Sequence, residues 1–344
     1  LTILVLICTA LAHNGQTEYL PKRVYEAYRV EKAPDIDGIF LDQAWQEGEW
    51  AGDFIQHEPY ENRPPSQATE FKLAYDDQHL YMAIKALDSA PDSISNRMSR
   101  RDQADGDMVF VVFDSYHDLR TGFIFGVSSA GVRFDMIMSN NGQNEDETWD
   151  PIWQAKTQIH DWGWAAELKI PFTQLRFNKN SESVWGFEVA REIFRKEEMS
   201  FWHPIPRNAP GIIHAIGELD GLQEIEPRKQ LDLTPYGVAA LETYEAEEGN
   251  PYLDGRDPKF NIGLDGKIGV TNNMTLDFTI NPDFGQVEAD PSEVNLTAFE
   301  TYFEEKRPFF IEGKNITSFN VGLGDGDVGN DNLFYSRRIG RRPQ

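Results

Sequence analysis

Three tryptophans and one asparagine have side chains suited to a ligand that combines an apolar face with hydroxyl groups, such as a sugar. A flat aromatic ring packs against the CH side of such a ligand, while polar side chains hydrogen-bond its hydroxyls. Trp149 follows the polar stretch NNGQNEDE (140–147), which contains Asn144. With Trp153 and Trp202, these residues are the predicted ligand-binding set. The alternative is that the tryptophans pack inside the domain.

Three aspartates, Asp102, Asp105 and Asp107, lie close together just before an apolar run. Calcium prefers several oxygen ligands from flexible loops, and these carboxylates would supply them. They have no defining motif spacing, so loop charge that is simply solvated is the alternative. The sequence thus predicts calcium as its candidate cofactor and these three residues as its candidate metal ligands.

Recognisable catalytic motifs are absent from the sequence. GVSSAG (126–131) differs from a nucleophile elbow because Ala130 stands where glycine is required. There is no HExxH, phosphate-binding loop or GxGxxG motif, and the seven histidines are scattered. Two carboxylates can hydrolyse a glycosidic bond, but only at a separation that the sequence does not reveal. The sequence names no catalytic residue and favours a protein that is not an enzyme.

Residues 24–226 contain short apolar runs separated by turn residues. ATEFKLAYDDQHLYMAIKALD (68–88) predicts one β-hairpin, and GFIFGVSSAGVRFDMIM (122–138) predicts another that turns at Ala130-Gly131. GDMVFVVFD (106–114) is apolar along nearly its whole length, which indicates a strand buried on both faces. The pattern predicts an all-β sandwich.

Residues 230–344 form a second predicted unit, whose best-defined part is a hairpin. In KFNIGLDGKIGV (259–270) and again from Met274 to Phe284, apolar residues alternate with polar ones. Each run is about 11 residues long, roughly what a tilted strand needs to cross the hydrocarbon layer. The polar set would then face a wet interior and the apolar set lipid. A hairpin of a soluble antiparallel sheet is the alternative. A single-chain membrane barrel needs about eight strands or more, so we expect only the first, truncated part of one here.

The first twelve residues, LTILVLICTALA (1–12), have the composition of an export signal. They are apolar except for two threonines and end in a small-x-small cleavage pattern. No positive residue precedes them, so we expect the signal to be truncated. Cys8 is the only cysteine, which excludes an internal disulfide. The net charge of −25 would repel nucleic acid, so we expect no nucleic-acid partner.

Several motifs occur in a fixed order along residues 24–226. They are Ile36-Asp37-Gly38 with Trp45, the strand Asp107 to Asp114, Trp164-x-x-Glu167-x-x-Ile170-Pro171-Phe172, and Trp185-Gly186-Phe187. This order resembles the family 9 carbohydrate-binding modules. The resemblance implies a jelly-roll-like sandwich, and in founding members sugar ends are held between two tryptophans, with bound calcium. Those tryptophans correspond to Ala104 and to PRNAPG (206–211) here, so that sugar site does not carry over.

The stretches NPDFGQVEADPSEVNLTAFETYFEEKRPFFIEG (281–313) and FYSRRIGRR (334–342) closely resemble the domain of unknown function 5916 family. Its members are Gram-negative outer-membrane proteins with a predicted C-terminal β-barrel. The resemblance implies an exported protein of the outer membrane, with the sandwich in the periplasm or at the cell surface.

These features predict one preferred role and two alternatives. The preferred role is recognition of a glycan, or another surface ligand, by a sandwich carried on an outer-membrane barrel, for glycan uptake in polysaccharide utilisation. The first alternative is a glycoside hydrolase or accessory domain acting in carbohydrate catabolism. The second is a structural sandwich that docks on or plugs the barrel.

Overall fold

The computed structural model describes most of the chain up to Asp283 and short stretches beyond it. The described ranges are 21–103, 105–178, 183–226, 228–245, 255–271, 274–283, 303, 305–312 and 336–339. The predicted export signal at 1–12 and residues 284–302 of the stretch 281–313 therefore lie outside the described residues.

Within these ranges the chain forms 17 β-strands and a few short helical turns. The strands are β1 (Val24–Glu26), β2 (Tyr28–Arg29), β3 (Ile55–Glu58), β4 (Thr69–Tyr75), β5 (His79–Leu87), β6 (Met108–Asp114), β7 (Gly122–Ser128), β8 (Arg133–Ser139), β9 (Asn144–Asp146), β10 (Gln154–His160), β11 (Gly163–Pro171), β12 (Ser183–Ile193), β13 (Glu198–Phe201), β14 (Gly217–Leu222), β15 (Leu231–Thr243), β16 (Arg256–Thr271) and β17 (Met274–Ile280).

The helical elements are all shorter than five residues. The 3₁₀ turns are Gln43–Trp45, Pro91–Ser93, Asn140–Gly142, Phe172–Gln174, Phe194–Lys196, Ile213–Ala215 and Ser336–Arg338, and the α-helical turn is α1 (Pro308–Ile311). In the part of the chain that the structure describes, none of these has the length or apolar character to span a bilayer.

The first 14 strands form two sheets that pack face to face. A nine-stranded sheet has the order β1-β14-β12-β6-β7-β8-β9, with β13 beside β12 and β3 beside β13. A five-stranded sheet has the order β10-β11-β5-β4-β2. Large side chains from both sheets fill the space between them, among them Trp164, Trp185 and Phe71. The predicted all-β sandwich is confirmed, and so are the hairpins β4–β5 and β7–β8.

Glu167 fastens the segment before β3 to the five-stranded sheet. Its buried carboxylate accepts the backbone N–H groups of Asp37 at 2.8 Å and Gly38 at 2.7 Å, and the indole N–H of Trp45 at 2.6 Å. Burial raises the pKa of Glu167, although these donors counteract the shift. Hydrogen bonds to a charged group each contribute about 1.5–3 kcal/mol. The motif residues Asp37, Gly38, Trp45 and Glu167 therefore have a structural role.

The remaining three strands form a separate antiparallel sheet with two different faces. In its order β15-β16-β17, Leu231 lies beside Ile268, which lies beside Leu276. The side chains of this face are largely exposed, reaching 75% for Phe260 and 63% for Ile262. An exposed apolar surface of this kind indicates a contact with an apolar partner or phase.

The opposite face of this sheet is polar. Asp232, Lys267 and Asp277 lie side by side across the three strands. The next row contains Asp265, whose carboxylate accepts the hydroxyl of Thr279 at 2.6 Å. The alternation of apolar and polar faces predicted from the sequence is confirmed for these strands.

Candidate functional site

The outer surface of the nine-stranded sheet is built from alternate residues of its strands. The residues of β6 that face the core are Val109, Val111 and Phe113. Those that face outward are Met108, Phe110 and Val112, because successive side chains point to opposite sides of a pleated strand. On the neighbouring β12, the register places Glu192 beside Met108, Ala190 beside Phe110, and Glu188 beside Val112. The outer surface therefore consists of successive rows, each with a different environment.

The row through Val112 is covered by the segment that follows β13. That segment contributes apolar side chains to a cluster over the sheet, namely Ile205, Ile213, Ala215 and Ile216. Beneath it, the carboxylate of Glu188 accepts the backbone N–H of His203 at 2.9 Å. Burial raises the pKa of Glu188 to about 8. This row is closed to a ligand.

The next row, here called the aromatic row, consists of Phe201, Ala190, Phe110, Gly126 and Phe134. The rings of Phe110 and Phe134 meet edge to face, with centroids 6.0 Å apart. Gly126 between them has no room for a side chain, because a Cβ there would lie 2.7 Å from Cδ1 of Phe110. The three phenylalanines remain partly exposed. The aromatic row thus presents apolar ring edges beside the covered row.

Beyond the aromatic row the surface opens into a cavity of about 300 Å³, here called the glutamate cavity. Its lining residues are Glu58, Glu192, Phe194, Glu197, Glu198 and Met199. Glu192 is two residues from Ala190 on β12, and the register sets Met199 beside Glu192 and Glu58 beside Met199. Carboxylates accept hydrogen bonds from hydroxyl groups, and an exposed phenyl ring packs against CH groups. The cavity therefore combines an apolar ring with hydroxyl-binding groups, the combination that was predicted around the tryptophans.

The hairpin between β12 and β13 positions the aromatic ring of this cavity. Phe194 starts a tight turn in which the N–H of Glu197 donates to the carbonyl of Phe194 at 3.1 Å. Glu197 has a left-handed backbone, with φ of 49°. The Phe194 ring is 38% exposed, and the guanidinium of Arg97 lies 5.6 Å from its centroid. Arg97 therefore makes a cation–π contact with the Phe194 ring.

Buried ion pairs hold the end of β12 behind the glutamate cavity. Arg191 is fully buried, donates to the carbonyl of Ala68 at 2.9 Å and lies 3.9 Å from a carboxylate oxygen of Asp88. Arg195 donates to Asp88 at 2.8 Å and lies 4.0 Å from Asp107. Burial lowers the pKa of Arg191 to about 10. Burial, followed by the nearby Asp107, raises the pKa of Glu192.

The three aspartates predicted as metal ligands have separate partners. Asp107 is buried near Arg195. Asp105 pairs at 2.8 Å with Arg97. Asp102 accepts the backbone N–H of Asp135 at 3.2 Å, and burial together with the Asp135 charge raises the pKa of Asp102 to about 7. The described residues contain no group of three or more acidic, histidine or cysteine side chains suited to a metal ion. The proposed ligand set is therefore corrected, while calcium binding itself stays a prediction.

The predicted ligand-binding tryptophans lie in or against the core. Trp153 is 1% exposed and its indole N–H donates to Asp135 at 2.6 Å, while Trp202 is 5% exposed. Trp149 is half-buried and contacts rings of the core. Asn144 is exposed on β9, opposite Ser139. No sugar can stack on Trp153 or Trp202 without opening the core, which is the physical reason to correct these two assignments.

Phe194, Glu192 and Glu58, which line the glutamate cavity, are not among the residues predicted from the sequence. The usable signal for Phe194 was the run of four charged residues that follows it, at 195–198. Glu58 is more than 130 residues away from Glu192, and only the pairing of β13 with β3 brings the two together. Without the strand pairing, the sequence does not indicate that Glu58 and Glu192 lie close together.

Two family models match the chain, one in each half. Residues 36–198 match the model described as Carbohydrate family 9 binding domain-like. Residues 227–344 match the model described as Domain of unknown function (DUF5916). Both predicted resemblances are therefore confirmed. A comparison with curated proteins found no match.

Solved structures similar to the chain include two family 9 carbohydrate binding modules from Caldicellulosiruptor kristjanssonii. The one in complex with glucose is 19% identical, with 59% of this chain and 97% of that chain covered and a TM-score of 0.43. The one in complex with cellotriose is 17% identical, with 60% and 95% covered and a TM-score of 0.42. A protein from Bacteroides uniformis ATCC 8492 is 12% identical, with 58% and 99% covered and a TM-score of 0.46.

The chain therefore carries a carbohydrate family 9 binding domain-like segment, followed by a segment that matches the domain of unknown function (DUF5916) family.

Proposed function

We propose that the sandwich is a carbohydrate-binding module and that the glutamate cavity is its binding site. The observation that carries this proposal is the exposed ring of Phe194 in a cavity lined by carboxylates. A sugar offers CH groups to the ring and hydroxyls to Glu58, Glu192 and Glu197. The match of residues 36–198 to a carbohydrate-binding family model supports the same conclusion.

The cavity volume limits the ligand that it accepts. About 300 Å³ is at the small end of the range for small-molecule sites, so one or two sugar units at the end of a chain would fit. The ring edges of the aromatic row extend from the cavity along the sheet and offer apolar contact to further units. We therefore expect an oligosaccharide to bind with one end in the glutamate cavity.

The three-stranded sheet is, in this proposal, the beginning of a β-barrel in the outer membrane of a Gram-negative bacterium. Its exposed apolar face suits lipid, and its polar face, with Asp232, Lys267 and Asp277, suits a wet interior. Two glycines are covered by aromatic rings: Tyr236 lies over Gly263, and Phe278 lies over Gly266. Such coverage pins the register of curved sheets. The predicted export signal at 1–12 fits this location, and the protein would serve glycan capture or uptake in polysaccharide utilisation.

The experiment is a glycan array with the purified chain, followed by calorimetric titration of the best glycan. Phe194→Ala is expected to weaken binding by about tenfold or more, which corresponds to about 1.4 kcal/mol. Because Phe194 is exposed at a hairpin tip, its removal should leave the unfolding midpoint nearly unchanged.

The matched control is Trp50→Ala, which removes a partly exposed aromatic ring from the other side of the sandwich. That variant should bind as the wild type does. Equal affinity of wild type and Phe194→Ala, or loss of binding in Trp50→Ala alone, would contradict the assignment of the site. Release of reducing sugar from the glycan would favour the hydrolase alternative instead.

A docking role for the sandwich is the second candidate, because contacts to the three-stranded sheet favour it. Gln174 donates to Asp232 at 3.3 Å, and Arg176 donates to Thr275 at 3.4 Å. This role does not require a ligand. An array on which a folded chain binds no glycan would favour docking over carbohydrate binding.

A further inference from the structure

The two connections within the three-stranded sheet differ in length. β15 ends at Thr243 and β16 begins at Arg256, so 12 residues join these strands. β16 ends at Thr271 and β17 begins at Met274, so two residues join them. Because all three strands are antiparallel neighbours, the long connection is at one end of the sheet and the short connection is at the other.

The sandwich contacts the sheet at the end with the short connection. Asp232 and Thr275, which accept hydrogen bonds from Gln174 and Arg176, are each the second residue of a strand at that end. The backbone N–H of Gly269 donates at 2.8 Å to the carbonyl of Gln230, the residue that leads from the sandwich into β15. The strand ends at Thr243 and Arg256 lie at the opposite end.

The contact is made on the polar face of the sheet. A cavity of about 560 Å³ lies between the two parts, bordered by the sandwich and the strands. Sandwich residues that line it include Arg101, Asp102, Glu147 and Asp150. Strand residues that line it include Asp232, Asp265, Lys267 and Asp277. Among the described residues, the sandwich does not cover the apolar face, and it extends over the end of the face that would line a water-filled interior.

We infer that the sandwich lies on the periplasmic side of the outer membrane, across the mouth of the barrel. This inference rests on the proposed barrel. Outer-membrane barrels have short turns on the periplasmic side and longer loops outside the cell. The two-residue connection and the sandwich beside it are then periplasmic, and the 12-residue connection faces the medium. The sandwich would then bind a glycan that has already crossed the outer membrane into the periplasm.

The test is thiol labelling of single-cysteine variants of the whole protein, supplied with a complete export signal, in a Gram-negative host. In a Cys8→Ser background, cysteine replaces Leu41 or Met98 on the sandwich, which are 82% and 80% exposed, or Glu245 in the long connection. The probe is a maleimide on a polyethylene glycol chain too large for porins. Glu245→Cys should be labelled on intact cells, and the two sandwich variants only after the outer membrane is permeabilised.

Membrane fractionation of the same cells separates the two ways in which this result can fail. If the chain is recovered with the membranes and the sandwich cysteines are labelled on intact cells, the inference is overturned while the membrane proposal stands. An unlabelled Glu245→Cys on intact cells also counts against it. If the chain is recovered in the aqueous fraction, the barrel proposal fails, and the inference is overturned with it.

Discussion

Glu188 keeps a carboxyl group fully buried beneath the segment that follows β13. One of its oxygens accepts the N–H groups of His203 and Val189, at 2.9 and 3.1 Å. The other is buried and has no hydrogen-bond partner among the described residues. Burial raises the pKa of Glu188 from 4.5 to about 8. The folded chain thus retains a proton that the unfolded chain releases above pH 4.5, so the contribution of this group to stability falls as the pH rises through 8.

Replacing Glu188 with glutamine should flatten this pH dependence, because the amide stays neutral throughout. All eight tryptophans lie between residues 45 and 202, so tryptophan fluorescence reports the unfolding of the sandwich. The urea midpoint of the wild type should fall between pH 5 and pH 8 by more than that of Glu188→Gln. Glu49→Gln, at an exposed position, serves as the control and should follow the wild type. An equal fall in wild type and Glu188→Gln would contradict this explanation.

The sequence shows which side chains could bind a ligand or a cation, but it does not show which other residues each side chain contacts in the fold. Trp153 was predicted to face a ligand, yet its indole N–H pairs with Asp135 on β8, across the core. Asp107 was predicted to bind a cation, yet two arginines of the β12 region approach it. In both cases the partner is distant in sequence, and only the tertiary fold reveals it.

At the scale of elements, alternation of residue types predicted the strands that carry most of the fold. The hairpins β4–β5, β7–β8 and β16–β17 lie where the apolar and polar residues alternate. The register in which the strands pair could not be predicted from the sequence. The aromatic row joins Phe201 to Phe110, which are on strands 91 residues apart, through Ala190 of a third strand. No local pattern specifies that Ala190 lies between those two rings.

Because β16 has one apolar and one polar face, we expect substitutions at two adjacent residues to differ in their effect on membrane recovery. Ile262→Lys places a charge on the apolar face, where it costs about 2–4 kcal/mol near the middle of a bilayer. Asn261→Lys places the same charge on the polar face. In membranes purified by flotation, Ile262→Lys should be recovered in smaller amounts than the wild type, and Asn261→Lys should be recovered equally well.

The two variants carry the same charge on opposite faces of β16. Ile262 is 63% exposed, so its replacement opens no cavity in the sheet. Equal recovery of both variants would show that neither face contacts lipid, and the sheet would then be one of a soluble protein.

At the scale of the molecule, the chain joins a sandwich with an acidic, partly aromatic cavity to a sheet with one apolar face. The net charge of −25 makes an anionic ligand unfavourable for both parts, whereas a neutral glycan meets no such barrier. The sequence predicted both halves and their order, because each has long-range patterning and motifs of its own. It did not predict the glutamate cavity, which depends on the pairing of β13 with β3, and it gave contact between the two halves only as an alternative.

Binding of a sugar in the glutamate cavity can be observed in a crystal structure of the chain with its best array glycan. We expect a terminal sugar within about 4 Å of the Phe194 ring, the distance of an apolar contact. Its hydroxyls should be hydrogen-bonded to Glu192 or Glu58. A glycan bound instead on the outer face of the five-stranded sheet, or elsewhere with the glutamate cavity empty, would contradict the assignment of this cavity as the binding site.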